Sequence, residues 1–147
     1  MNLLAFAAPV LAMTVQSAPA PSPSPSPPIP IPPAPVDGAA LLAALPVDAQ
    51  AHFRCGILFA VVAGGQEAGD ERALVYPAME PRGKEFFVRQ VAGLMEGETL
   101  DRRAIDAMAR ASARDYVNER DQEVRVNEDK VAAAMPPCLS LLEASGL

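Results

Sequence analysis

The chain has no tryptophan, one histidine, two lysines and two cysteines, and its first 36 residues carry no charged side chain. Each scarcity excludes something. Two lysines against ten arginines, a net charge of −6 and a pI near 4.7 argue against a partner such as nucleic acid or an anionic membrane face, which wants a basic patch. The cysteines, Cys55 and Cys138, lack the Cys-x-x-Cys spacing of a redox dithiol. With His52 they offer three zinc donors where a structural site needs four. Gly83-Lys84 lacks both the upstream glycine spacing and the following Ser or Thr of a phosphate-binding loop.

All 30 charged residues fall between Asp37 and Leu147, so the sequence divides into an uncharged leader and one domain-sized body. Leu3 to Val15 is an apolar run interrupted only by Pro9 and Thr14. Thirteen helical residues reach about 20 Å, short of the roughly 30 Å hydrocarbon core. A stable membrane span is therefore not expected; the length suits the apolar region of a signal peptide over residues 1–17. Ser17 and Ala20 end two small-x-small cleavage options, and the basic residue expected ahead of the run is missing. Residues 18–36 are then read as a disordered linker. Half of the twenty residues from Ser17 to Val36 are proline, which removes backbone donors and favours an extended polyproline II spacer.

The body, residues 37–147, reads as helical. Asp37 is placed to cap a short helix over Ala39–Leu45, stopped by Pro46. Asp48 is placed to cap a stronger one, Ala49–Ala63, with Phe53, Ile57, Ala60 and Val61 at helical spacing and Gly64-Gly65 as its end. Residues 66–82 read as loop with one helical turn within Ala68–Tyr76 and a turn bracketed by Pro77 and Pro81. A further helix is expected from Gly83 or Lys84 to Glu96. Thr99 is the expected cap of a long stretch free of Gly and Pro, whose charged part, Asn118–Lys130, reads as an exposed helical continuation with a break near Val124–Asn127. Val131–Met135 turns apolar, and Pro136-Pro137 is expected to end that helix and begin a last one. The fold class is all-α: a small irregular or orthogonal array of four to five helices with one disulfide, preceded by the Pro-rich linker.

Four features could carry function. In an exported chain an even pair of cysteines reads as a Cys55–Cys138 disulfide. His52, three residues before Cys55, is a candidate polar site through a metal or a nucleophilic pair, against the plainer reading of a helix-edge histidine. Tyr76, Met79, Phe86 and Phe87 gather apolar surface at a turn, a candidate contact surface, against the plainer reading of core packing. The carboxylates Glu67, Asp70 and Glu71 cluster in the loop without a sequence-visible apolar pocket to raise a pKa.

No catalytic signature and no cofactor motif emerges. The expectation is a periplasmic or secreted, non-enzymatic binding or envelope-maintenance module, whose partner would be a protein or small ligand of the envelope. A small exported hydrolase using carboxylates or His52, and a membrane-associated protein that keeps its leader, are the alternatives. The sequence leaves the oligomeric state open.

Overall fold

Asp37 opens the first helix, α1 (Gly38–Ala44), by accepting hydrogen bonds from the N–H groups of Ala39 and Ala40 at 3.0 and 3.1 Å. These are two of the donors that a helix start leaves without partners. The structure is a computed structural model that describes residues 34–147 apart from 98–99, 121–122 and the side chains of 119, 120 and 123. The leader at 1–17, both cleavage options and the linker up to residue 33 lie outside the described residues.

After α1 come α2 (Val47–Glu67), α3 (Glu71–Leu74), α4 (Arg82–Gly97) and α5 (Arg102–Ala113). A hairpin of β1 (Val117–Arg120) and β2 (Glu123–Val126) then leads into α6 (Glu128–Ala144). The described residues are therefore helical with little strand, and one disulfide joins Cys55 of α2 to Cys138 of α6.

Helix α2 is the centre of the body. Cys55, Gly56, Ile57, Leu58 and Phe59 are consecutive and all buried, which covers every side of a helix rather than one stripe. It feeds two apolar clusters. One holds Phe53 and Ile57 with Leu42, Leu94, Ile105 and Met108. The other surrounds the disulfide with Leu58, Phe59, Val62, Phe86, Val131 and Met135. Packing of α4 on α2 depends on a reciprocal exchange. A Cβ on Gly56 would lie 2.9 Å from the Phe87 ring, and one on Gly83 would lie 2.8 Å from Phe59 Cβ. Each helix thus offers a glycine where the other places a phenylalanine.

Helix α2 starts and ends elsewhere than its sequence suggests. Asp48 lies within its first turn, and the N-cap position is Pro46, which has no side-chain cap. The helix also runs through Gly64-Gly65. Gly65 is a packing residue: a Cβ there would meet Ala73 Cβ at 2.7 Å and Val126 Cγ2 at 2.9 Å. The stop comes at Gly69, whose φ of +74° is the left-handed conformation that glycine adopts without cost. Asp70 N–H donates to Gly65 O at 2.9 Å and Gly69 N–H to Gln66 O at 3.2 Å, the two bonds of a Schellman ending.

Three further expectations are corrected. The cap of α5 is Asp101, whose Oδ1 accepts from Ala104 N–H at 2.7 Å; Thr99 lies outside the described residues. Beyond Ala113 the helix does not continue. The chain folds back as an antiparallel hairpin with Val117 opposite Val126 and Arg120 opposite Glu123. Its strands are four residues each, and Val126 is their buried apolar anchor. Finally, Pro136 and Pro137 lie inside one continuous helix, α6. They remove the donors to Ala132 and Ala133 carbonyls. Both alanines and both prolines are exposed, so water can satisfy those carbonyls, while Val131, Met135, Cys138 and Leu142 hold the opposite face in the core.

Candidate functional site

The sequence from Gln66 to Met79 folds back on itself through one side chain. Gln66 Nε2 lies within hydrogen-bond distance of the carbonyls of Ala73, Tyr76 and Pro77 at 3.1, 3.1 and 2.9 Å, and its Oε1 accepts from Met79 N–H at 3.1 Å. A glutamine can do this because one amide carries both donors and an acceptor. Asp70, four residues on, works in two directions. Its Oδ1 accepts from Arg72 N–H at 3.0 Å and so caps α3. Its Oδ2 accepts from Val126 N–H at 3.1 Å and so ties β2 to the helical body.

An open groove of about 460 Å³ lies here, lined by Ala68, Gly69, Asp70, Glu71, Arg72, Val124 and Arg125. Its lining mixes both signs of charge. Partial burial pushes the Asp70 carboxyl upward, but the two backbone N–H bonds, from Val126 and Arg72, and the positive charges of Arg72 and Arg125 outweigh it. The net result lies below the ordinary aspartate value. A carboxylate held ionised in this way is a poor proton donor near neutral pH. Leu74, Val75 and Val124 are exposed apolar side chains on α3, just after it and on β2.

The four residues read as a contact surface divide into two that are buried and two that are half-buried. Met79 and Phe86 are buried at 2% and 0% exposure. Phe86 stands edge-on to Phe59 with ring centroids 5.5 Å apart, and half-buried Phe87 tilts against Phe53 at 6.2 Å. Tyr76 is half-buried, and its phenol is pushed above its ordinary pKa by burial and by the charge of Glu128. Phe86 and Phe87 pack toward α2 because α4 lies against it, as the glycine exchange allows.

His52 stacks on Phe86 with centroids 6.1 Å apart and 22° between planes. Its Nδ1 lies 2.7 Å from Asp48 O. A carbonyl can only accept, so Nδ1–H is the donor in this contact. The thiols of Cys55 and Cys138 are consumed by their bridge, which removes the thiolate donors a zinc site with His52 would use. Among the described residues no cluster of three or more His, Cys, Asp or Glu could hold a metal ion.

Gln66 and the second bond of Asp70 escape sequence reading. Asp70 before Glu71-Arg72-Ala73-Leu74 is a legible helix start, but its partner Val126 is 56 residues away. Neither protein-family models nor curated proteins nor solved structures give a match to this chain.

Proposed function

We propose that the chain is an exported, disulfide-stapled helical protein of the periplasm or extracellular space that acts by binding rather than by catalysis. The observation that carries this reading is the buried Cys55–Cys138 bridge. Reducing cytosols keep such pairs as thiols, whereas oxidising compartments form and preserve them. The apolar run from Leu3 to Val15 and the small residues behind it supply the matching export signal. Among the described residues no helix is long and apolar enough to cross a membrane.

Binding is favoured over hydrolysis by what the polar candidates already do. Asp70 is committed to two backbone N–H groups, and His52 has one ring nitrogen committed to Asp48. Exposed Leu74, Val75 and Val124 provide apolar area for a protein or small envelope ligand.

The test is the intact mass and N-terminal sequence of the native protein, with and without reductant. The expected N-terminus is Ala18, or Pro21 from the second cleavage option, and reduction adds two hydrogens. Full-length cytosolic protein with two titratable thiols would defeat the proposal.

A further inference from the structure

Helix α4 buries one side and carries an apolar stripe on the other. Gly83, Phe86 and Leu94 face the interior. Val88 and Met95 are 56% and 44% exposed, and Ala92 between them is exposed as well. Residues 88, 92 and 95 stand at i, i+4 and i+7, so their side chains line one face over two turns. Scattered single apolar side chains are ordinary on a protein surface; a continuous stripe along one helix marks a contact face. The charges beside it are ordered along the helix. The first half, residues 82–89, holds Arg82, Lys84 and Arg89 against Glu85, and the second half holds Glu96 as its one charge. Arg89 and Glu96 are seven residues apart and therefore share one flank of the stripe. Arg89 already meets Glu85 at 2.6 Å, but both side chains are more than half exposed, so the pair is weak and easily shared. Among the described residues Glu96 has no ion-pair partner.

We propose that this stripe is a self-association face, on which two copies of the chain pair their α4 helices antiparallel about a two-fold axis at Val91–Ala92. That axis sets Val88 of one copy opposite Met95 of the other and brings Ala92 of both copies together. In an antiparallel pair the same flank of each helix meets itself. Arg89 then stands about 3 Å along the helix axis from the level of Glu96 in the second copy, within reach of its long side chain. The two-fold makes this contact twice. A parallel pair would instead lay the basic half on the basic half and align the helix dipoles unfavourably. An order of charge that complements itself when reversed assigns the stripe to a second copy rather than to an unlike partner. A contact of two to three helical turns is smaller than the roughly 800 Å² per partner of a standard interface, so the dimer is weak and reversible. This face is separate from Leu74, Val75 and Val124, and the inference is independent of export and of any ligand.

The test is sedimentation equilibrium of the oxidised full chain from about 1 μM to about 1 mM, a range that spans weak association. A monomer at the dilute end and a rising dimer fraction at the concentrated end are expected. Ala92→Lys sets two ammonium groups face to face at the axis and should keep the chain monomeric, with its helical circular dichroism unchanged. Arg89→Glu or Glu96→Arg alone brings like charges together twice and should raise the dissociation constant about tenfold, the scale of two exposed pairs. An equal mixture of these two variants, and the variant carrying both changes, should regain dimerisation, since either arrangement restores opposite charges across the axis. This rescue separates the α4 face from association through the apolar leader. A chain that stays monomeric throughout would leave the stripe to an unlike partner and overturn the pairing. Association indifferent to Ala92→Lys, or charge variants without rescue, would overturn it as well.

Discussion

Gln66 spends one amide on four backbone groups, and its worth follows from what its removal strands. Gln66→Ala leaves the carbonyls of Ala73, Tyr76 and Pro77 and the N–H of Met79 to find water in a half-buried corner. A loss of about 2 kcal/mol is expected in urea unfolding, at the middle of the range for unsatisfied polar groups. The neighbouring glycines should separate by sign. Nothing lies within 4 Å of a Cβ on Gly64, whereas one on Gly65 collides with Ala73 and Val126. Gly64→Ala should therefore stabilise by about 0.5–1 kcal/mol through helix propensity. Gly65→Ala should destabilise by about 1–3 kcal/mol through overpacking. Equal effects from the two, in melts of the purified variants, would contradict the contact that Gly65 makes with the hairpin.

Among the elements, α6 shows how a helix survives adjacent prolines. The missing donors fall on its wet side, and the dry side carries Val131, Met135, Cys138 and Leu142. Pro136→Ala restores a donor toward Ala132 O at an exposed position. It should raise the melting temperature, by the equivalent of about 1 kcal/mol or more, since an interior proline costs up to about 3. A fall in stability would mean that proline is favoured there by the unfolded chain instead. The hairpin teaches the opposite lesson. Seven of the eight residues from Asn118 to Arg125 are charged or amide and look like a solvated helix face. Strand identity comes from pairing Val117 with Val126 and from the Asp70 bond to Val126, neither of which is local.

For the whole molecule the bridge matters most. Cys55 and Cys138 are 83 residues apart and join the central helix to the last one. Closing a loop of that size stabilises by up to ~4–5 kcal/mol in the chain-entropy account. Cys55→Ser and Cys138→Ser should lower stability by similar amounts, and the double variant should lose little more than either, because all three remove the same loop closure. Losses that added, measured by denaturant unfolding, would show that each thiol has a role outside the bridge. His52→Ala should be mild beside them, costing the stacking on Phe86 and one hydrogen bond to Asp48.

Local chemistry determined much of this fold in advance. Asp37 as a cap, a helix beginning near Gly83 and the pairing of the only two cysteines are written in short-range pattern and composition. Capping and helical periodicity act within a turn or two, so the sequence carries them by itself. Tertiary structure decided the rest. Whether Gly65 stops a helix or admits a neighbour depends on Ala73 and on Val126, which lies 61 positions downstream. Whether Phe86 faces a ligand or the core depends on how closely α4 approaches Phe59. Asp70 reads as one helix cap until folding delivers a second N–H from β2. Contacts between residues far apart in the chain leave no period in either segment, and only the packed molecule brings them to one place.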